Sequence, residues 1–295
     1  MLTSPLGKLR GNGRLLKGKV AWITGATSGI GRATALELAR RGAPLALSGR
    51  RQERLESVAE EARALGVEAL VVRCDVCDEG DLARAVARID EGYGRLDIAF
   101  ANAGFTVGGR VDELTGDDWR RQLETNVVGA AITAKHALPA LRRSRGRLAF
   151  TGSVAAFLPA PAFAAYHCSK HALRAIGLTL SVELAGSGVS CTLVHPGFVQ
   201  SEINQVDNEG HFDPSRAEKR PKLLMWPTDR AARVIVDAIA ARRREVVFTG
   251  HGRVSAWLGQ HAPWLLHAVM TSGPMRRQAD GFRVEQAVKG PRRSW

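Results

Sequence analysis

Tyr166 and Lys170 stand four residues apart in Tyr166-His167-Cys168-Ser169-Lys170, so on a helix they share one face. A buried ammonium beside a phenol favours the phenolate, and a free tyrosine would otherwise titrate near pH 10. Lowering that value by about 3 units needs on the order of 4 kcal/mol of differential stabilisation. A tyrosine tuned in this way can give a proton to an oxygen or take one from it. The pair alone occurs by chance in many helices, but here it has companions. Ser153 closes Thr151-Gly152-Ser153 just upstream, where a hydroxyl can donate to a substrate oxygen. Asn126, in Thr125-Asn126-Val127-Val128-Gly129, falls inside a predicted helix, where asparagine is a poor former.

A second group of residues suits a phosphate. Thr24-Gly25-Ala26-Thr27-Ser28-Gly29-Ile30-Gly31 joins a predicted strand to a predicted helix. Glycines let the backbone approach a pyrophosphate, and the free N–H groups of the helix start supply donors and positive potential. The spacing is TGxxxGxG and not the GxGxxG of the general dinucleotide fingerprint. After the next strand the chain reads Ser48-Gly49-Arg50-Arg51, with no acid to accept from a ribose 2′-hydroxyl. An arginine fork pairs with a 2′-phosphate, which a carboxylate would repel. NADP(H) is therefore expected over NAD(H). The alternative is that Arg50 and Arg51 are solvated helix-start residues, although cations there oppose the helix dipole.

The elements that must carry these residues alternate along the chain. Strands are expected at 20–24, 45–48, 69–73, 96–101, 147–152, 190–195 and 245–249. Helices are expected at 30–41, 52–65, 79–92, 118–142, 166–185 and 230–241. Apolar strands alternating with amphipathic helices predict an α/β fold with a doubly wound parallel sheet, which binds ligands at the strands' carboxyl ends. The expected organisation is a basic arm over 1–18, one catalytic domain over 19–250, and a C-terminal extension over 251–295.

Taken together and in this order, TGxxxGxG, Asn126, Ser153 and Tyr-x-x-x-Lys resemble the short-chain dehydrogenase/reductase family across roughly residues 19–201. The resemblance implies a Rossmann-like fold. It also implies hydride transfer between a nicotinamide cofactor and a carbonyl or alcohol, with Tyr166 as general acid or base. Gly25, Thr27, Ser28, Gly29, Ile30 and Gly31 would then cradle the cofactor. Asp75 would contact the adenine, with Val76 beside it, and Asn102, Ala103 and Gly104 would shape the groove. Lys170 would hold the nicotinamide ribose, and Asn126 would bind a water of a proton relay. Pro196, Gly197 and Val199 would cover the nicotinamide, with Ser201 where the family usually has threonine. Family members are often dimers or tetramers built on the helices carrying Asn126 and Tyr166, so a homodimer or homotetramer is expected.

The stretch 154–165 between Ser153 and Tyr166 carries no charged side chain, and Phe105-Thr106-Val107 is also largely apolar. This suits a hydrophobic ketone, aldehyde or alcohol, or else a core or dimer contact. Residues 202–227 are expected as a mobile substrate lid, or as an exposed loop without a selective role. Val254, Trp257, Leu258, His261, Trp264, Leu265, Ala268 and Val269 fall at helical spacing broken by Pro263. We read them as short helices capping the cleft or meeting a subunit, in preference to a segment resting on a membrane.

The chain has 295 residues and a net charge of +13. The arginines are scattered, without the interleaved aromatics of a nucleic-acid surface, so no nucleic-acid partner is expected. Cys74 and Cys77 form a CxxC without a second pair, so no metal site is expected. With no apolar leader and no long apolar run, a cytoplasmic location is expected. Two rival functions remain open: a nucleotide-sensing binding protein without turnover, and an epimerase or dehydratase that retains its cofactor.

Overall fold

Seven short apolar segments line up as one wholly parallel sheet in the order β3-β2-β1-β4-β5-β6-β7. They are β1 (Ala21–Thr24), β2 (Leu45–Gly49), β3 (Ala69–Arg73), β4 (Ile98–Ala101), β5 (Arg147–Thr151), β6 (Ser190–His195) and β7 (Glu245–Val247). The computed structural model describes residues 16–213 and 220–272. Most of the basic arm and the tail beyond residue 272 therefore lie outside the described residues.

Parallel strands need crossovers, and the helices supply them on both faces. Ala21, Ile23, Leu45 and Leu47 point to one face, against α1 (Gly29–Arg40), α2 (Gln52–Ala64) and α7 (Thr228–Ala240). Trp22, Ala46, Leu148 and Phe150 point to the other, against α3 (Glu79–Tyr93), α5 (Gly129–Ser144) and α6 (Ala164–Glu183). The central strands are thus buried on both sides, which explains their apolar runs, while β3 and β7 at the two edges are half-buried. The strand order reverses between β1 and β4, and the crevice this opens at their carboxyl ends is where such sheets take a ligand.

The single helix expected at 118–142 is instead three pieces. α4 (Gly116–Leu123) passes into a π-helical turn at Glu124–Val128 and then into α5. The extra residue of a π-turn rotates the helix face, and Asn126 sits in its middle. Thr115 begins α4 with a capping box in which its hydroxyl and the Asp118 carboxylate trade backbone N–H groups, a signal that lies just outside the expected start.

Beyond β7, Thr249 precedes α8 (Gly250–His261), and Pro263 opens α9 (Pro263–Met270). Proline at a helix start needs no N–H partner, so it begins a new helix where it ends the previous one. Ala256 of α8 packs on Ala156 and Phe157 in one small apolar cluster. Trp257 and Trp264 face solvent. Among the described residues no helix is long and apolar enough to cross a membrane.

Candidate active site

The glycine turn lies at the end of β1, against Asn102 and Ala103 at the end of β4. A Cβ on Gly31 would collide with the Gly25 carbonyl and with Asn102 Nδ2, while Gly25 has φ +66° and faces the Ala103 backbone. Only glycine fits either place. Thr24 Oγ1 accepts from the N–H groups of Asn102 (3.0 Å) and Ala103 (3.2 Å). Asn102 Nδ2 in turn donates to the carbonyls of Thr24 (3.1 Å) and Gly25 (3.2 Å). Thr151 Oγ1 adds a bond to Asn102 Oδ1 at 2.9 Å. The three strand ends are locked together, leaving the N-terminus of α1 open behind Ser28, whose side chain makes no cap bond. Gly104 abuts Asn126, Gly29 abuts Ser201, and Ile30 packs on the apolar core.

Arg51 reaches back to this turn, donating to Thr27 Oγ1 at 2.7 Å and Ser28 Oγ at 3.1 Å. It also meets Glu202 at 3.3 Å, and Arg54 binds both oxygens of that carboxylate at 2.9 and 2.8 Å. Phe212 lies under the two guanidinium groups, 5.8 Å from Arg51 and 4.9 Å from Arg54. Arg50 stands at the exposed edge and donates to the Gly210 carbonyl at 3.3 Å. Partial burial and the neighbouring Arg54 lower the Arg51 pKa against the pull of Glu202. Asp75 uses Oδ1 to cap the Cys77 N–H at 3.0 Å, and Val76 is buried against Gly129 at the start of α5. Cys74 is buried and its thiol is pushed up to about 12 by desolvation.

At the other end of the cleft the four expected polar residues converge. Tyr166 lies in the first turn of α6 and is hydrogen-bonded to Ser153. Ser153 Oγ accepts from the Ala155 N–H at 3.1 Å. Asn126 Oδ1 accepts from the Phe105 N–H (3.1 Å), and its Nδ2 donates to the Phe105 carbonyl (3.0 Å) and to Ser169 Oγ (3.1 Å). Ser169 closes the loop by donating to the Tyr166 carbonyl at 2.7 Å. The cost of an asparagine inside a helix is therefore met by protein partners on two neighbouring segments. Gln122, buried one turn earlier, holds the Val107 N–H at 2.7 Å and the Phe105 carbonyl at 3.0 Å.

Lys170 is buried, and its ammonium lies 5.7 Å from the centre of the Tyr166 ring. It donates to the Thr151 carbonyl at 2.8 Å, and among the described residues that is its one hydrogen bond. Desolvation, with no carboxylate beside it among the described residues, lowers its pKa to about 8. The chain's own electrostatics differ here from the sequence expectation. Burial raises the Tyr166 pKa, opposed by the Ser153 hydrogen bond and by the charge of Arg220. Desolvation of the phenolate outweighs these neighbours, although the side chain as a whole is half-buried.

Arg220 escaped the sequence reading, since nothing in its local sequence marks it. It donates to the carbonyls of Val199 (2.9 Å) and Ser201 (3.3 Å), and so ties residues 202–227 to the segment after β6. That segment is further held by Pro196, whose carbonyl accepts from Val154 at 3.0 Å. His251 of α8 completes the clamp: its ring stacks on Phe198 at 5.0 Å and its Nε2 accepts the Phe198 N–H at 3.1 Å. Gly197 lies under Thr249 and His251. Farther out, Asn208 pairs with both backbone groups of Gly108, at 3.0 and 2.9 Å. Within 202–227, Glu202, Asn208, Gly210 and Arg220 each bond to residues outside the segment.

Residues 19–211 match the family model for short chain dehydrogenase, and the chain belongs to the short-chain dehydrogenase/reductase family. It is 34% identical over 278 residues to 11-beta-hydroxysteroid dehydrogenase A of Sesamum indicum, covering 90% of this chain and 79% of that protein. It is 39% identical over 241 residues to 11-beta-hydroxysteroid dehydrogenase 1A of Arabidopsis thaliana, covering 78% and 68%. A short chain dehydrogenase/reductase of Burkholderia phymatum in complex with NAD superposes with a TM-score of 0.76 at 28% identity, covering 85% of this chain and 96% of that one. A short chain dehydrogenase of Burkholderia cenocepacia in complex with NADP superposes at 0.71 and 28%, covering 81% and 99%. The chain is accordingly an NAD(P)-dependent oxidoreductase of this family with a Rossmann-like fold.

Proposed function

We propose that the chain reduces a hydrophobic ketone or aldehyde, or oxidises the matching alcohol, using NADP(H). The observation that carries this reading is the half-buried Tyr166–Ser153 pair beside a buried Lys170 ammonium that still has donors to give. Those donors, with the Gly31 cradle and the open start of α1, fit a dinucleotide whose ribose hydroxyls Lys170 would hold. The bound nicotinamide would supply or accept the hydride.

The protein's part is proton transfer and placement. Ser153 Oγ and Tyr166 Oη would both point hydrogen bonds at the carbonyl oxygen, and Tyr166 would give it a proton as the alcohol forms. In oxidation the same oxygen would take the proton back. A phenol held protonated by burial is ready for reduction, and the phenolate becomes accessible once a cation or a cofactor charge offsets that burial. Asn126 would hold the Phe105 segment and α6 in register.

NADP(H) is favoured by Arg50, Arg51 and Arg54, which form a cationic rim where NAD-selective sites carry an acid. The solved relative bound to NADP is in keeping with this. A flat apolar substrate of the steroid class is supported by the hydroxysteroid dehydrogenases among the relatives, and by the stretch 154–165 between Ser153 and Tyr166, which carries no charged side chain. Residues 202–227 would act as its lid. Exposed Val128 and Val182, on the helices named for assembly, support a homodimer or homotetramer that sedimentation would detect.

The deciding experiment follows NADPH oxidation with an 11-oxosteroid and graded hydrophobic ketones. Turnover that Tyr166→Phe lowers by about 10³-fold supports the reading. Tight NADPH binding without turnover on any carbonyl would instead favour a nucleotide-sensing protein.

A further inference from the structure

Behind Ser153 lies a polar network that the chemistry above does not use. His195, the last residue of β6, is fully buried. Its Nδ1 lies 3.2 Å from the Ser153 nitrogen and 3.0 Å from the Ser153 carbonyl oxygen. Ser153 is extended, with φ −166° and ψ 158°, which turns its N–H and C=O to the same side. On the far side of the ring, Nε2 meets Glu245 Oε1 of β7 at 3.0 Å. Glu245 is clasped by Arg174 of α6 at 2.6 and 3.2 Å, and Arg174 lies one turn beyond Lys170 on the same helix. Phe157 seals the group, 4.5 Å from the guanidinium and edge-on to the imidazole at 4.8 Å.

The protonation pattern follows from the partners. Burial pushes the Glu245 carboxyl up, but the hydrogen bonds from His195 and Arg174 outweigh it and hold the pKa down at about 2. An ionised carboxylate only accepts, so Nε2 carries a proton, and Nδ1 is left to bond the N–H or the carbonyl of Ser153. The imidazole reaches Ser153 by crossing over Gly152. A Cβ there would lie 2.5 Å from Nδ1, so the glycine of Thr151-Gly152-Ser153 makes room for this ring.

We propose that His195 is a positioning residue for the reaction: held by Glu245 and Arg174, it fixes the backbone of Ser153 and ties it to the helix that carries Tyr166 and Lys170. The inference rests on Ser153 and Tyr166 acting as proposed. Buried, fully partnered networks of this kind fix one geometry, because each lost bond leaves a polar group stranded. Strands β6 and β7 thereby act on the site without touching a substrate.

The test uses the full chain with NADPH and cortisone. His195→Ala should lower kcat by about ten- to a hundredfold while the KM for NADPH stays within about twofold, since the glycine turn is untouched. His195→Asn, whose side-chain amide can stand where Nδ1 meets Ser153, should recover most of that loss, and Glu245→Gln should fall between the two. A folded His195→Ala with kcat within about twofold of the parent would overturn the proposal, as would a KM for NADPH that rises as far as kcat falls. Nitrogen-15 NMR of His195 in the unaltered protein at pH 7 decides the matter independently of activity or of the variants' folding. A ring protonated on Nε2 is expected, and one without a proton on Nε2 contradicts the network. Absence of turnover in the unaltered protein would refute the catalytic reading and leave the NMR result to judge His195.

Discussion

The two cationic ends of the cleft are built on opposite principles. At one end Lys170 is buried, among the described residues, with a single carbonyl partner and no carboxylate. At the other, Arg51 and Arg54 stand half in solvent and share Glu202. The first pays for burial with its own charge, as its lowered pKa records. The second keeps its charge and meets competition from a carboxylate. A proton-handling group gains from a dry setting that brings its pKa toward the working range, whereas a phosphate-reading group gains from fixed, permanent charge.

The sharpest way to break this comparison is Lys170→Met. A lysine whose folded pKa lies near 8, against about 10.4 unfolded, binds fewer protons when folded between those values. Its contribution to stability is therefore adverse below pH 8 and relieved as pH rises toward 10.4, by on the order of 3 kcal/mol in all. The substitution should abolish most turnover yet raise the thermal midpoint at pH 7 by several degrees, and flatten stability across that pH window. Calorimetry at pH 7 and 10 checks it, and a lower midpoint at pH 7 would mean that Lys170 is not carried at a cost.

At the exposed end the effects should be smaller and sensitive to salt. Arg51→Ala should raise the KM for NADPH about tenfold and leave that for NADH nearly unchanged, with the difference shrinking at high ionic strength. Equal losses with both cofactors would show that Arg51 serves the turn at Thr27 and Ser28 and not a 2′-phosphate. Glu202→Gln should have the smallest effect, tightening NADPH by about two- to fivefold, because a half-exposed ion pair is worth only about 0.2–1 kcal/mol. Weaker NADPH binding in this variant would mark Glu202 as a support of the arginine rim.

Much of this was legible in the chain. The strand–helix alternation, the glycine turn, and Asn126, Ser153, Tyr166 and Lys170 follow from local pattern. The π-turn at Glu124–Val128 was not, because the partners that Asn126 meets there, Phe105 and Ser169, lie on distant segments. Glu202 gave no signal either, since its meaning depends on a loop folding back onto α2. His195 reads in sequence as one more residue of an apolar strand.

The sequence by itself determined which groups could do chemistry and on which element each would ride. Periodicity and turn chemistry are local, and they act through a few neighbouring residues. Tertiary structure decided the state of those groups. Burial set Tyr166 up and Lys170 down in pKa, reversing the simple expectation for the phenol, and sheet order put His195 and Glu245 behind Ser153. Desolvation and long-range pairing depend on what closes over a residue, and no spacing along the chain records that.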